Sequence, residues 1–198
     1  MTMVNIMIGY PNKKKQATKT VSYAKLGMTL ESDIDQTNKY YLEQGIAVIH
    51  KKPTPVQVVT VNYPARNKAK ITEAYYKIPS TTDYNGIYEG RYIDFDAKET
   101  ALATSMPLKN IHPHQVDHLK AVHEQGGIAF LIVHFKRIQT YYLLPATVLF
   151  RYWDTRNEKT GRKSIPLSVF ENEAFELNFS YQPRLDYLKV VKAHLMSD

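Results

Sequence analysis

The chain has 198 residues, of which 43% are hydrophobic; it carries a net charge of +7 and contains no cysteine. That length and apolar content fit one compact domain with a real core and exclude global disorder. The absence of cysteine excludes disulfides and thiolate-held zinc and suits a reducing compartment, and no apolar run approaches the roughly 18 residues that a bilayer demands.

The first 28 residues carry five lysines and no acid, with glycine, threonine and isolated aromatics in no sustained period. They read as a mobile basic arm. The stretch from Met3 to Ile8 is too short, and lacks the basic lead, to be a signal peptide, so the expected location is the cytoplasm. The remainder, 29–198, reads as a single domain. A helix is predicted from the N-cap Thr29: acids crowd its first turn, Leu30, Ile34, Thr37, Tyr41 and Leu42 recur at helical spacing, and Gly45 ends it. Residues 29–50 set one lysine against four acids. Ile46 to His50 then reads as a short buried strand.

Residues 51–80 differ from their surroundings. They hold six basic residues against Glu73 alone, four prolines and two extended runs, Val56–Val61 and Lys68–Lys77, around a turn at Tyr63–Asn67. This pattern predicts a projecting hairpin whose apolar content is too thin to form its own core. Its cations, with those of the arm, form an electrostatic footprint for a polyanion. Tyr75 and Tyr76 beside lysines suit stacking on bases, and equally suit packing beneath the hairpin.

A second hairpin is predicted over Ser80–Thr100, turning at Glu89-Gly90, where glycine admits positive φ. Farther on come a helix from about Pro113 to Gly126-Gly127, a strand Ile128–His134 and a partner strand Ile138–Leu144. Pro145 opens a short helix reaching about Trp153, a polar loop covers Asp154–Ser164, and a last helix covers Asp186–Leu195. Residues 81–198 carry fourteen charges of each sign. Interleaved strands and helices predict an α/β class with a mixed sheet.

The chemistry lies in the second hairpin. A turn at Glu89-Gly90 sets Asp83 opposite Asp96 and Thr81 opposite Lys98, and alternation puts all four on one face with Asn85 and Asp94. Facing carboxylates repel unless a cation compensates, and a hard divalent ion such as magnesium, or manganese, does so with carboxylates, water and substrate phosphate. Such an ion polarises a phosphodiester, while Lys98 meets the charge that grows in the transition state. An acid, about a dozen residues, then acid-x-Lys on a strand is the PD-(D/E)xK nuclease signature; a solvated edge hairpin with a salt bridge is the plainer alternative.

Longer words narrow this. Gly27-Met28-Thr29-Leu30-Glu31, Ala47-Val48-Ile49-His50-Lys51-Lys52-Pro53-Thr54-Pro55-Val56-Gln57, Thr81-Thr82-Asp83-Tyr84-Asn85-Gly86, Tyr92-Ile93-Asp94-Phe95-Asp96-Ala97-Lys98-Glu99-Thr100 and Gln182-Pro183-Arg184-Leu185-Asp186-Tyr187 resemble the RecU family of bacterial Holliday junction resolvases, over roughly residues 25–190. The resemblance implies a restriction-endonuclease-like core and a homodimer making paired symmetric nicks in four-way DNA junctions. It also implies a stalk matching 51–80, with an aromatic at Tyr76. It implies a magnesium site of Thr81, Asp83, Asp96 and Gln115, with Lys98 stabilising the transition state, and makes Lys51, Lys52, Arg66, Lys68, Lys70, Tyr76 and Lys77 candidate DNA contacts. RecA recombinase and branch-migration machinery become candidate partners, and the nucleoid the working location. Position 96 is usually Glu in that family; Asp retracts the carboxylate by roughly 1.5 Å, one carbon–carbon bond. Asp94 is the alternative recruit.

Other signals carry less. His114 and His118 lie one helical turn apart, near His112, His123 and Asp117, but no His-Glu-x-x-His pattern accompanies them. Gln115 would face the catalytic patch only if its helix crosses it. Glu31 and Asp35 are candidate supports for the metal from the first helix, and Trp153 reads as a core anchor. Arg162-Lys163 and Lys13-Lys14-Lys15 suit phosphate contacts or solvated surface alike. The competing functions are a non-catalytic junction-binding protein and a nuclease acting on ordinary duplex or damaged DNA.

Overall fold

The computed structural model describes residues 29–65, 68–77 and 81–196. The expected basic arm at 1–28 and the candidate DNA contact Arg66 lie outside the described residues.

The predicted first helix is present as α1, Leu30–Glu43, with the Thr29 hydroxyl accepting from the Ser32 N–H at 3.2 Å. The chain continues through β1 (Val48–Lys51), β2 (Val56–Asn62), β3 (Lys70–Tyr76), β4 (Tyr84–Tyr88), β5 (Arg91–Thr100), β6 (Ser105–Pro107), α2 (Pro113–Glu124), β7 (Ile128–Phe135) and β8 (Thr140–Pro145). It ends with α3 (Ala146–Thr155), β9 (Ser164–Pro166), α4 (Leu167–Glu173), β10 (Phe175–Leu177) and α5 (Tyr187–His194). The reading missed β6, β9, β10 and α4: three-residue strands and a seven-residue helix are too short to display a period. It also began β1 two residues early.

Six strands form one mixed sheet in the order β1-β4-β5-β7-β8-β10, in which only β5 and β7 run parallel. Each face is covered. The buried side chains of α1 and α5, among them Leu30, Ile34, Tyr41, Tyr187 and Leu188, pack with Ile93, Phe95, Phe130 and Ile132. On the other face Val116 and Leu119 of α2, Leu149 and Trp153 of α3 and Phe170 of α4 pack with Leu131, Val133 and Phe135. Helices on both sides of a mixed sheet are the expected α/β class. Trp153 is buried in that second core, with the Arg156 guanidinium 3.9 Å above its ring. Among the described residues no helix is long and apolar enough to cross a membrane.

Alternation along β5 divides its residues by chemistry. Ile93, Phe95 and Ala97 join the α1/α5 core, so Asp94, Asp96 and Lys98 point to the α2 side. The division is locked by a row of stacked rings running across three strands, Tyr84–Phe95 at 4.9 Å and Phe95–Phe130 at 4.7 Å, with Tyr187 against them. A one-residue slip would exchange Phe95 for Asp96 in that row. It would give up the ~1.5–3 kcal/mol of a buried phenyl ring and put a carboxylate among aromatics. Gly86 lets β1 approach: a Cβ there would stand 2.0 Å from the Val48 carbonyl oxygen.

The Gln182–Tyr187 word docks the C-terminal segment onto α1. The Arg184 Nε–H donates to Asp33 at 2.7 Å, the Tyr41 hydroxyl to Asp186 at 2.8 Å, and the Leu185 N–H to the Thr37 hydroxyl at 3.0 Å.

The hairpin of β2 and β3 is exposed along almost its whole length, Val56, Val58, Val59 and Ile71 included. Tyr75 and Tyr76 are 62% and 84% exposed, which rules out packing under the hairpin. Lys68, Lys70 and Lys77 are exposed as well.

Candidate active site

The β4–β5 pairing has the register that the turn implied. Tyr88 opposes Arg91 and Tyr84 opposes Phe95, with Glu89 and Gly90 at positive φ in the turn. The next pair outward is Asp83 and Asp96, and these carboxyls meet. Asp96 is fully buried. Lys98 Nζ stands 3.1 Å from Asp96 Oδ2, with its own side chain only 13% exposed. That contact has ion-pair rather than hydrogen-bond geometry, and both Asp96 oxygens are buried without a hydrogen-bond partner.

Two ionised carboxylates that face each other repel, and a proton on Asp96 relieves them. Burial pushes the Asp96 carboxyl up to about 8; the facing Asp83 carboxyl adds to the shift and the charge of Lys98 opposes it. Buried, unsatisfied carboxylate oxygens are costly, and such a site calls for a proton or a cation.

Asp94, on the same face one repeat away, is the opposite case. Its Oδ1 accepts from the Thr82 hydroxyl. Its Oδ2 accepts from Lys52 Nζ at 2.9 Å, the Tyr92 hydroxyl at 2.9 Å and His118 Nε2 at 3.0 Å. Both oxygens are occupied, which argues against Asp94 as the alternative recruit and leaves Asp96 as the open group. Lys52 therefore differs from the expectation for a DNA contact: its ammonium is turned into the fold, pairing with Asp94 and Thr82, because a fully buried carboxylate at that point needs a counterion.

Helix α2 does cross the patch, since its His118 reaches Asp94 on β5. Gln115, on the same helix, is buried, and its Oε1 accepts from the His112 N–H at 3.1 Å in a capping box. A carbonyl-type oxygen has a second lone pair beyond that bond. Thr81 is half-buried and its hydroxyl donates to the Thr82 carbonyl at 3.3 Å, leaving the oxygen lone pairs free to accept. His114 has a buried, unpartnered Nε2 and stacks on His112; burial lowers its pKa, with the nearby His112 and Lys98 in the same direction. Among the described residues no group of three or more His, Asp or Glu side chains gathers as metal ligands. What the patch offers is two facing carboxylates, hard oxygen donors that fit magnesium, which keeps several waters.

The supports suggested on α1 are already engaged: Glu31 takes Lys51 at 2.6 Å and Asp35 takes the Tyr84 hydroxyl at 3.0 Å. The Lys51–Glu31 pair is solvent-exposed, so it is worth at most about 1 kcal/mol and leaves Lys51 available to a phosphate. A cleft of about 500 Å³ lined by Thr29, Glu31, Ala97, Lys98 and Asn110 opens beside Lys98. Sequence reasoning missed the roles of Thr82, Tyr92 and His118; the position of His118 one turn after His114 was the available signal.

Residues 25–193 match the family model for Recombination protein U. A protein of Pediococcus pentosaceus named Holliday junction resolvase RecU is 49% identical, over 92% of this chain and 94% of its own. A Bacillus pumilus protein of the same name is 51% identical over 97% and 98% of the two chains. Among solved structures, Archaeoglobus fulgidus Hjc, a Holliday junction resolvase, aligns at 11% identity with a TM-score of 0.40, covering 72% of this chain and 94% of that one.

Proposed function

Given that the chain belongs to the RecU family, we propose that it is a structure-specific endonuclease that resolves four-way (Holliday) DNA junctions by paired, symmetric, magnesium-dependent hydrolysis. The observation that carries this reading is the contrast on one strand between Asp94, with both oxygens hydrogen-bonded, and Asp96, with both oxygens buried and without a hydrogen-bond partner opposite Asp83. A vestigial, non-catalytic site has no reason to keep that unsatisfied pair.

Asp83 and Asp96 would hold the ion, with Thr81 and Gln115 supplying neutral oxygens directly or through water. Bound there, magnesium or manganese would supply Lewis-acid polarisation of the scissile phosphate and a lowered pKa for water. Lys98, ion-paired to Asp96 and nearly buried, directs its positive charge at the phosphate oxygens as charge accumulates on them. Burial of the patch strengthens that interaction by excluding water.

The exposed β2–β3 hairpin, with Lys68, Lys70 and Lys77 and the free faces of Tyr75 and Tyr76, has the chemistry to enter the junction centre: ammonium groups for phosphates, rings for unstacked bases. Two like cuts require two active sites related by a two-fold axis, so the working form is a homodimer. It acts in the cytoplasm on nucleoid DNA, alongside RecA recombinase and branch-migration machinery.

The test is to incubate the protein with an end-labelled four-way junction, with magnesium and with EDTA. Paired symmetric nicks that vanish with EDTA support the reading. A gel shift without nicks would establish a binding protein instead, and equal cutting of linear duplex would establish a general nuclease.

A further inference from the structure

Asp94 is a buried charge that the proposed hydrolysis does not use. Besides Tyr92 on its own strand, its partners come from three other parts of the chain: Lys52 just beyond β1, Thr82 just before β4, and His118 in the middle of α2. Lys52 and Thr82 are the two roots of the projecting hairpin, where the insertion leaves and rejoins the sheet. They are also tied to each other. Lys52 Nζ donates to the Thr82 hydroxyl at 3.0 Å, and the Lys52 N–H donates to the Asp83 carbonyl at 2.7 Å.

Asp83 itself precedes β4, and the last ladder pair between β4 and β5 is Tyr84 with Phe95. The sheet alone therefore does not hold residues 81–83 against β5. The main-chain bond from the Lys52 N–H to the Asp83 carbonyl continues the β1–β4 ladder, and the two bonds onto the Thr82 hydroxyl are what tie this segment to β5. The hairpin is exposed along almost its whole length, so a load that DNA places on it enters the body at residues 52 and 82.

We infer that Asp94 is a positioning residue, which through Lys52 and Thr82 pins both roots of the hairpin to β5 and α2 and so holds the Asp83 carboxylate opposite Asp96. The inference rests on the nuclease reading for its consequence in cleavage, but its geometric content concerns the carboxylate pair alone. Partners that orient a metal ligand typically affect affinity or activity about 10–100-fold.

The informative variant is Thr82→Val, which keeps the shape and the Lys52–Asp94 ion pair and removes only the hydroxyl. Asp94→Asn is the companion, but it takes the counterion from the half-buried Lys52 and risks unfolding. Three quantities are measured on the full chain: manganese affinity by calorimetry without DNA, junction affinity in EDTA, and kcat against KM for junction cleavage. For Thr82→Val we expect about tenfold weaker manganese binding, about tenfold lower kcat, and junction affinity within about twofold of the parent. Unchanged manganese affinity and kcat would overturn the inference, and so would a lowered Tm with unchanged manganese affinity, since either result makes Asp94 merely structural. A parent protein that binds no manganese would sink the metal site and this inference together. One that binds manganese but leaves junctions uncut would sink the nuclease reading alone, with the calorimetric comparison still deciding this one.

Discussion

Removing the charge of Asp96 should abolish a specific pH dependence of stability. The carboxyl ordinarily titrates at 3.8 and burial pushes it up to about 8. The folded chain therefore holds this proton over a window, from about pH 4 to about pH 8, in which the unfolded chain has lost it. Within that window the folded state binds more protons, so stability falls as pH rises, and the loss is complete above about pH 8. Each pH unit costs on the order of 1 kcal/mol, so moving the metal-free protein from pH 5 to pH 7 should remove roughly 3 kcal/mol. At ~2–4 °C per kcal/mol for a domain of this size, the Tm should drop by about 5–10 °C. The assay is a thermal melt in EDTA at half-unit pH steps for the parent and for Asp96→Asn, which is nearly isosteric and cannot ionise. Other titrating groups contribute to both curves, so the difference between the curves isolates Asp96. Magnesium should flatten the parent's excess slope, because the cation takes the place of the proton. Parallel curves for parent and variant, or a parent that gains stability over this interval, would refute the account of a buried, unsatisfied carboxylate.

Lys98→Ala should lower junction cleavage at least about a hundredfold, as removal of a transition-state electrostatic contact does, while junction binding in EDTA stays within about twofold; loss of both together would count against the assigned role. Replacing Tyr75 and Tyr76 together by Ala should weaken junction binding by ~1–3 kcal/mol per stacked base and reduce the preference for junction over duplex, read by competition gel shift. Unaltered preference would remove the hairpin from recognition. Gly86→Ala drives a Cβ to within 2.0 Å of the Val48 carbonyl oxygen, so β1 must move away from β4. A denaturant melt should show a loss of at least ~2 kcal/mol, and a loss under 0.5 kcal/mol would mean the two strands separate freely.

What was legible in the sequence is local. Thr29, the acids after it and Gly45 bound α1 because capping and left-handed termination are set by residues within one turn. Glu89-Gly90 set the hairpin register, and with strict alternation that was enough to bring Asp83 and Asp96 together and place Lys98 on the same face. The RecU words likewise marked the elements that build the site, whereas the docking of the Gln182–Tyr187 word on α1 emerged only with the fold.

What only the tertiary structure decided concerns groups far apart in the chain. Asp94 and Asp96 are equivalent by spacing, and one is closed while the other is open because Lys52, Thr82 and His118 arrive from three separate segments to satisfy only the first. Lys52, by composition one more cation of a basic hairpin, became the half-buried counterion of Asp94, whereas Lys51 beside it stayed at the surface with Glu31. The parallel pairing of β5 with β7 and the crossing of α2 over the patch were likewise beyond periodicity. Alternation and turns propagate over a few residues of one strand, but desolvation and ion pairing depend on which distant side chains occupy the same few ångströms, and that is known only once the sheet is assembled.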